Sequence, residues 1–320
     1  MFNRALLIAC LMIPMAAMAQ VCLVSKGKPQ GRIVIVEDND VNRKAATLLQ
    51  RFVRETSGGE LKIIATTKRA KNDVVIGEKT TEVTDDGYVI DCSNGTLAIK
   101  SAGGKGAIYG VATLLEKFVG VDYLAKDFYT LTPSADIRIS KMHVAESPAF
   151  RFRQTFSYSN NDNTYRDWMR LQDHSEVFAN DMWVHTFDRL LPSSVYGKAH
   201  PEYYSFISGE RRPGNHSQWC LSNPEIFEIV ANRIDSIFKA NPGRNTISVS
   251  QNDGNDTYCQ CPECKKVNEY EGSPSGCYIR FLNRLAERFP DKQISTLAYL
   301  FTMHPPKHVK PLPNVNIMLC

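Results

Sequence analysis

The sequence predicts an α/β protein in two parts: an α+β domain whose sheet lies beneath two helices, then parallel strands alternating with helices. Three observations carry this. The first third mixes strand-like runs with a tight hairpin signal, and beyond Pro148 strand-like and helix-like stretches alternate, the pattern of crossover-linked parallel strands. The length of 320 residues exceeds the ~100 to 200 residues of one typical domain. Hydrophobic residues at 43% and charged residues at 22% suffice for a substantial core and exclude a collagenous or disordered chain. A formal charge of +4, with no block of like charges, gives no electrostatic case for a nucleic-acid or membrane-surface partner.

Residues 1–19 read as a signal peptide. Arg4 opens a short basic region, residues 5–15 are almost continuously apolar, and Ala17-Met18-Ala19 offers the small residues that precede cleavage. Pro14 and the terminal position argue against a buried helix. Cleavage near Ala19 makes the mature protein periplasmic or secreted, and no other stretch approaches the ~18 apolar residues of a membrane span.

Residues 20–145 form the first domain. Residues 31–36 alternate as a strand, and a helix capped near Asp40 carries Ala45, Leu48, Leu49, Phe52 and Val53 at helical spacing, closed by Gly58-Gly59. Further strands read at 61–64 and 73–76, and Ser93-Asn94-Gly95 joins 88–91 to 96–99 in a hairpin. Ile108, Val111, Ala112, Leu115 and Phe118 mark a second helix ending at Gly120, so two helices cover a sheet of four or five strands. Gly104, Gly106 and Gly110 lie where a dinucleotide fingerprint would, with one residue too many; the structural reading is glycines that let the helix start close to the sheet.

Residues 146–320 form the second domain. Strands are expected at 150–156, 181–187, 246–250, 294–299 and 315–319, with a short one at 218–221. Helices are expected near 165–178, after the Asn223-Pro224 cap, and along Tyr278, Phe281, Leu282, Leu285 and Phe289. About six strands in parallel alternation point to a TIM-type (β/α) barrel. A complete one takes ~250 residues, more than residues 148–320 supply, so the expectation is an incomplete barrel with an edge that a longer chain or a partner covers.

Parallel barrels carry function just past their strands. There the sequence offers Ser157 through Asp162, His185, Ser250-Gln251-Asn252-Asp253-Gly254 and Tyr299. Asp253 is the candidate general acid for glycoside cleavage, which requires a carboxyl that donates a proton to the leaving oxygen; as a turn residue it would instead bond its own backbone. His185 and Asn252 are candidate sugar ligands, His185 being equally at home in a packed core. Trp183 and Tyr299 can stack on sugar faces or simply fill the core. Arg153, sharing a strand face with Arg151, is a candidate for an acidic sugar.

Cys259-x-Cys261-x-x-Cys264 is the densest signal. Thiolates at such spacing suit tetrahedral zinc, with Cys220 or Cys277 as fourth ligand, and the preferred set is Cys220, Cys259, Cys261 and Cys264. Export leaves disulfides open, because an oxidising compartment can pair the eight cysteines that remain once Cys10 is removed with the leader. The acidic spacing after Asn252 is wrong for a calcium loop.

The segment Gly106-Ala-Ile-Tyr-Gly-Val-Ala-Thr-Leu-Leu-Glu116 resembles the accessory-domain helix of alpha-glucuronidases and beta-hexosaminidases. Residues 219–225, 248–254, 294–299 and the cysteine segment resemble the bacterial family known as domain of unknown function 4838. The resemblance implies a glycosidase-like barrel and does not supply a substrate; with the expected export, the reading is an exported glycoside hydrolase-like protein that acts on or binds carbohydrate, uronic-acid and amino-sugar glycosides being the expected classes, with no organic cofactor. The alternative it leaves is a non-catalytic carbohydrate-binding or scaffold protein with a structural cysteine or zinc site.

Overall fold

The computed structural model describes residues 20–254 and 257–320, so the expected signal peptide at 1–19 lies outside the described residues. The chain divides into two compact units between Leu171 and Gln172. No helix of the described residues is long and apolar enough to cross a membrane.

In the first unit a six-stranded mixed sheet runs in the order Met142–Glu146, Tyr88–Ser93, Thr96–Ser101, Val74–Lys79, Ile33–Ile35, Ile63–Ala65. The expected four or five strands become six because Met142–Glu146 returns to pair with the hairpin. Asn94 and Gly95 turn that hairpin with φ of 49° and 78°, the left-handed pair a two-residue turn requires. The Asp40–Ser57 helix begins one residue after its cap: the Asn39 side chain accepts from Asn42 N at 2.9 Å, and Gly58 closes it at φ 76°. Ala45, Leu49, Phe52 and Val53 are buried on its inner face, each large side chain contributing about 1.5–3 kcal/mol.

The Gly106–Leu114 helix ends in a π turn, Leu115–Val119, where Gly120 N donates to Leu115 O. The wider turn shifts the phase, so Val119 is buried and Phe118, expected on the apolar face, is 40% exposed. The glycines before it serve packing. A Cβ at Gly106 would stand 2.2 Å from Gly87 O, and one at Gly110 would stand 2.7 Å from Ile99 Cγ2. Gly106→Ala is therefore expected to cost about 1–3 kcal/mol, read as a lower urea midpoint with unchanged m-value; an unchanged midpoint would contradict the packing account.

The expected boundary at residue 145 moves, because the chain stays with the first unit as far as Leu171. Trp168 is buried there, 5.3 Å from the Phe52 ring and 5.6 Å from Tyr123. The expected strand at 150–156 does not form. Residues 150–156 are irregular, with Phe150 and Phe156 74% and 86% exposed, and the Arg153 guanidinium donates to the carbonyls of Phe150 and Arg170. The helix expected at 165–178 is two short ones, Asn163–Trp168 and His174–Val177, separated at Arg170, whose φ is 57°.

The second unit is built on a parallel sheet, Thr246–Ser248, Gln293–Ala298 and Val315–Leu319, in sequence order. Beyond its first strand, Phe178 bridges Thr246 in parallel and Ser248 N donates to Met182 O at 2.8 Å. The strand expected at 181–187 does not form: Asp181 and His185 take positive φ and Phe187–Leu190 turns helical. The strand expected at 218–221 reduces to a single bridge between Tyr204 and Trp219. Where an incomplete barrel was expected, the structure has an open parallel sheet, and no closed barrel forms among the described residues. Helices Glu225–Ala240 and Ser275–Arg288 bury Ile226, Val230, Ile234, Phe281, Leu282 and Leu285 beside Ile247 and Ile294.

A third helix, Pro262–Glu271, ends in a fully buried carboxylate. Glu271 accepts from the Arg280 guanidinium and from the backbone N–H groups of His308 and Val309, so it ties the segment before the last strand to the helices. Burial pushes the Glu271 carboxyl up, but the Arg280 hydrogen bond and the two backbone donors outweigh it and hold it at about 2. Its contribution is present above the usual carboxylate range near 4.5 and is lost as pH falls toward 2. Glu271→Gln should flatten the acid limb of a stability profile between those values; an unchanged profile would remove Glu271 as its source.

Candidate strand-end site and thiol cluster

Three of the sequence candidates meet past the carboxyl ends of the parallel strands. Tyr299 follows Ala298, the last residue of the central strand, and donates from its hydroxyl to Asp253 Oδ1 at 3.2 Å. That bond to Asp253 holds the Tyr299 phenol above its ordinary range. His185 lies beside Tyr299, ring centroids 5.9 Å apart, and its Nδ1 is 2.9 Å from Gln251 O. Its φ of 51° turns the chain away from the sheet here. Asp253 is exposed, and His185 and Tyr299 are half-buried.

Asn252 is placed differently. It is buried, its Nδ2 donates to Ser217 O at 2.7 Å, and its Oδ1 accepts from Asp188 N at 3.1 Å. Both ends of the amide are engaged by protein, so Asn252 shapes the loop. Trp183 stacks on His174 at 4.8 Å. Arg153 belongs to the first unit, where it pairs with Asp86 at 2.9 Å. Ser157–Asp162, also read as a strand-end loop, contributes a helical turn and a cap: Asp162 accepts from Tyr165 N.

Two amides organise the loop, Gln251 within the expected strand-end segment and Gln218 outside it, and neither was expected in that role. Gln251, fully buried, donates to Tyr299 O at 3.1 Å and to Thr302 Oγ1 at 2.7 Å. Gln218, also fully buried, grips the Asn252 backbone from both sides: Asn252 N donates to its Oε1 at 2.9 Å, and its Nε2 donates to Asn252 O at 2.8 Å. Glutamine is ordinarily a surface residue, so only its burial reveals the role.

A separate cluster in this unit is sulfur. Cys220, Cys259, Cys261 and Cys264 are buried, with ligand atoms all within 4.8 Å of one another. Cys220 and Cys261 Sγ stand 3.6 Å apart, far from a disulfide's ~2.05 Å and near the ~3.8 Å that Zn–S bonds of about 2.3 Å impose in a tetrahedron. The described cysteines are free thiols. Cys277 packs alongside and its thiol donates to Cys264 O, so the fourth place falls to Cys220.

Local folding explains the grouping. Pro262 starts the Pro262–Glu271 helix with Cys261 as its N-cap, so Cys261 and Cys264 both sit at a helix N-terminus, where thiolate is favoured. Phe206 N donates to Cys259 Sγ at 3.3 Å, and Arg211 Nη1 stands 3.8 Å from the same sulfur. Within the cluster, hydrogen bonds from Cys259 and Cys264 hold the Cys220 thiol far below its usual range, and their bonds to Cys220 push those two thiols up. Donors aimed at sulfur, buried thiols and tetrahedral spacing all fit a d¹⁰ cation.

The fold and site define a mixed α/β protein with a glycoside hydrolase-like architecture. Residues 27–120 match the description Glycosyl hydrolase family 20, domain 2. Residues 123–320 match Domain of unknown function (DUF4838), and the chain belongs to that family. No curated protein matches it. Among solved structures it is similar to the beta-N-acetylhexosaminidase from Bacteroides fragilis NCTC 9343, at 12% identity and a TM-score of 0.51, covering 95% of this chain and 68% of that one. It is similar also to the GH20 beta-N-acetylhexosaminidase from Streptomyces coelicolor A3(2), at 13% identity and a TM-score of 0.51, covering 94% and 67%. These likenesses establish the fold, over about two thirds of the length of those enzymes.

Proposed function

We propose that this is an exported carbohydrate-active protein whose second unit is part of a TIM-type (β/α) barrel, with a sugar held among Asp253, Tyr299 and His185. The observation that carries the reading is their convergence past the carboxyl ends of sequence-ordered parallel strands, the position where such sheets place their chemistry. The likeness to beta-N-acetylhexosaminidase folds supports carbohydrate as the ligand class and makes an amino-sugar glycoside the first candidate. A uronic-acid substrate draws less support, since the Arg153 guanidinium is engaged by Asp86 and backbone carbonyls.

In the catalytic form of this reading Asp253 protonates the leaving glycosidic oxygen as its bond to the anomeric carbon breaks, water adds to that carbon and returns a proton to Asp253, Tyr299 orients the Asp253 carboxyl through its hydroxyl, and His185 lines the sugar. A non-catalytic binding role is the second reading, favoured by the exposure of Asp253, which suits fixing a sugar hydroxyl as well as donating to it. Incubation with a panel of aryl glycosides and uronides, in parallel with calorimetry on N-acetylglucosamine and glucuronic acid, separates the two. Turnover supports the enzyme, binding without turnover supports the second reading, and neither removes both.

Zinc in the thiol cluster completes the proposal. It would be held by Cys220, Cys259, Cys261 and Cys264 in a closed four-sulfur shell, the composition of a structural site without an open position for substrate.

A further inference from the structure

We propose that Gln218 is the positioning residue of Asp253 and that the metal in the thiol cluster holds it there, so that metal occupancy sets the geometry of the strand-end site. The proposal rests on the carbohydrate and zinc readings above and adds to them a physical link.

That link is a short, buried chain of bonds. Gln218 grips the backbone of Asn252, the residue immediately before Asp253, through two hydrogen bonds, and its Nε2 also reaches Thr257 Oγ1 at 3.0 Å. Asn252 returns a bond of 2.7 Å from its own side chain to Ser217 O. Ser217 and Gln218 are thereby locked against Asn252 and Thr257. Both sides of this clamp lead within two residues into the cluster: Gln218 precedes Cys220 and Thr257 precedes Cys259. A metal joining Cys220 to Cys259 closes a ring around the clamp and pins both stretches where they leave it.

The physical consequence is directional. Gln218 and Asn252 are 0% and 4% exposed, so each of their polar atoms depends on its protein partner. If Cys220 and Cys259 separate, those bonds stretch together, and Asp253 loses its fixed distance to Tyr299. A bound metal excludes that motion and leaves Asp253 aimed; without it the loop samples open conformations.

Amide hydrogen exchange tests this. Comparison of the zinc-loaded protein, the protein treated with chelator and zinc-loaded Gln218→Ala is expected to show residues 250–254 exchanging on the order of tenfold faster in the latter two, with Ile294–Leu297 of the central strand unchanged. Gln218→Ala should retain its metal, because it removes no ligand. Where a glycoside turns over, the same variant lowers kcat/KM, since the Asp253 that it positions both faces the sugar and donates the proton. Unchanged exchange at 250–254 in Gln218→Ala overturns the positioning role. Equal loss of protection throughout the unit on chelation overturns the local link. The exchange readout uses no sugar, so this proposal and the carbohydrate reading fail separately.

Discussion

Protein prepared with zinc present is expected to carry one ion per chain, and stripping that ion should lower the unfolding midpoint of the 172–320 unit by about 10 °C. The magnitude follows from linkage. A ligand held at about a thousand times its Kd stabilises by roughly 4 kcal/mol, and in a unit of this size each kcal/mol moves the midpoint by about 2–4 °C. Four buried thiols without a cation must share protons among sulfurs that geometry forces together, whereas a cation replaces those protons and satisfies all four donors at once. Cys261→Ser is expected to abolish stoichiometric binding. Cys320→Ser, an exposed thiol outside the cluster, should leave it intact. Metal analysis and calorimetric melting read both. Full retention of metal in Cys261→Ser, or four oxidised cysteines in a mass measurement, would remove the zinc site.

The second large effect is expected at Asp253. If the strand-end site cleaves glycosides, Asp253→Asn should reduce turnover by about 10² to 10⁴-fold. The amide matches the carboxyl in shape and can still accept from the Tyr299 hydroxyl, but it carries no acidic proton for the leaving oxygen. Because Asp253 is exposed, the substitution leaves the core unchanged, and thermal unfolding should match that of the unsubstituted protein. Equal turnover in the variant would take the acid role away from Asp253 while leaving the fold assignment untouched.

Much of this architecture is legible in the amino-acid pattern. Helices with long amphipathic faces declare themselves, as with Ile226, Val230 and Ile234 or Phe281, Leu282 and Leu285, because a 3.6-residue period held over several turns matches a helix and no strand. The Asn94-Gly95 hairpin is equally plain, since its turn chemistry is local. Short strands of the second half are not. Residues 150–156 alternate like a strand yet fold as irregular chain, and 181–187 forms no strand, with positive φ at Asp181 and His185, a feature no periodicity reports.

The site divides along the same line. Asp253, Tyr299 and His185 stand out because strand ends are where parallel sheets place chemistry, and the four cysteines because thiol spacing is distinctive. The roles of Gln218 and of Gln251, although Gln251 lies in the expected strand-end loop, do not, because they depend on burial and on partners distant in sequence. Asn252 shows the converse: a polar residue beside the candidate acid reads as a ligand, and its side chain is committed to Ser217 and Asp188.

The central claim is that Asp253, Tyr299 and His185 form a carbohydrate site. Calorimetric titration of the zinc-loaded protein with N-acetylglucosamine and with glucuronic acid, set beside Tyr299→Ala and His185→Ala, tests it most directly. The account predicts saturable heat with at least one sugar and affinity about tenfold weaker in each variant, the effect of losing roughly one ring contact or hydrogen bond. No heat with either sugar, or the same affinity in all three proteins, would contradict it.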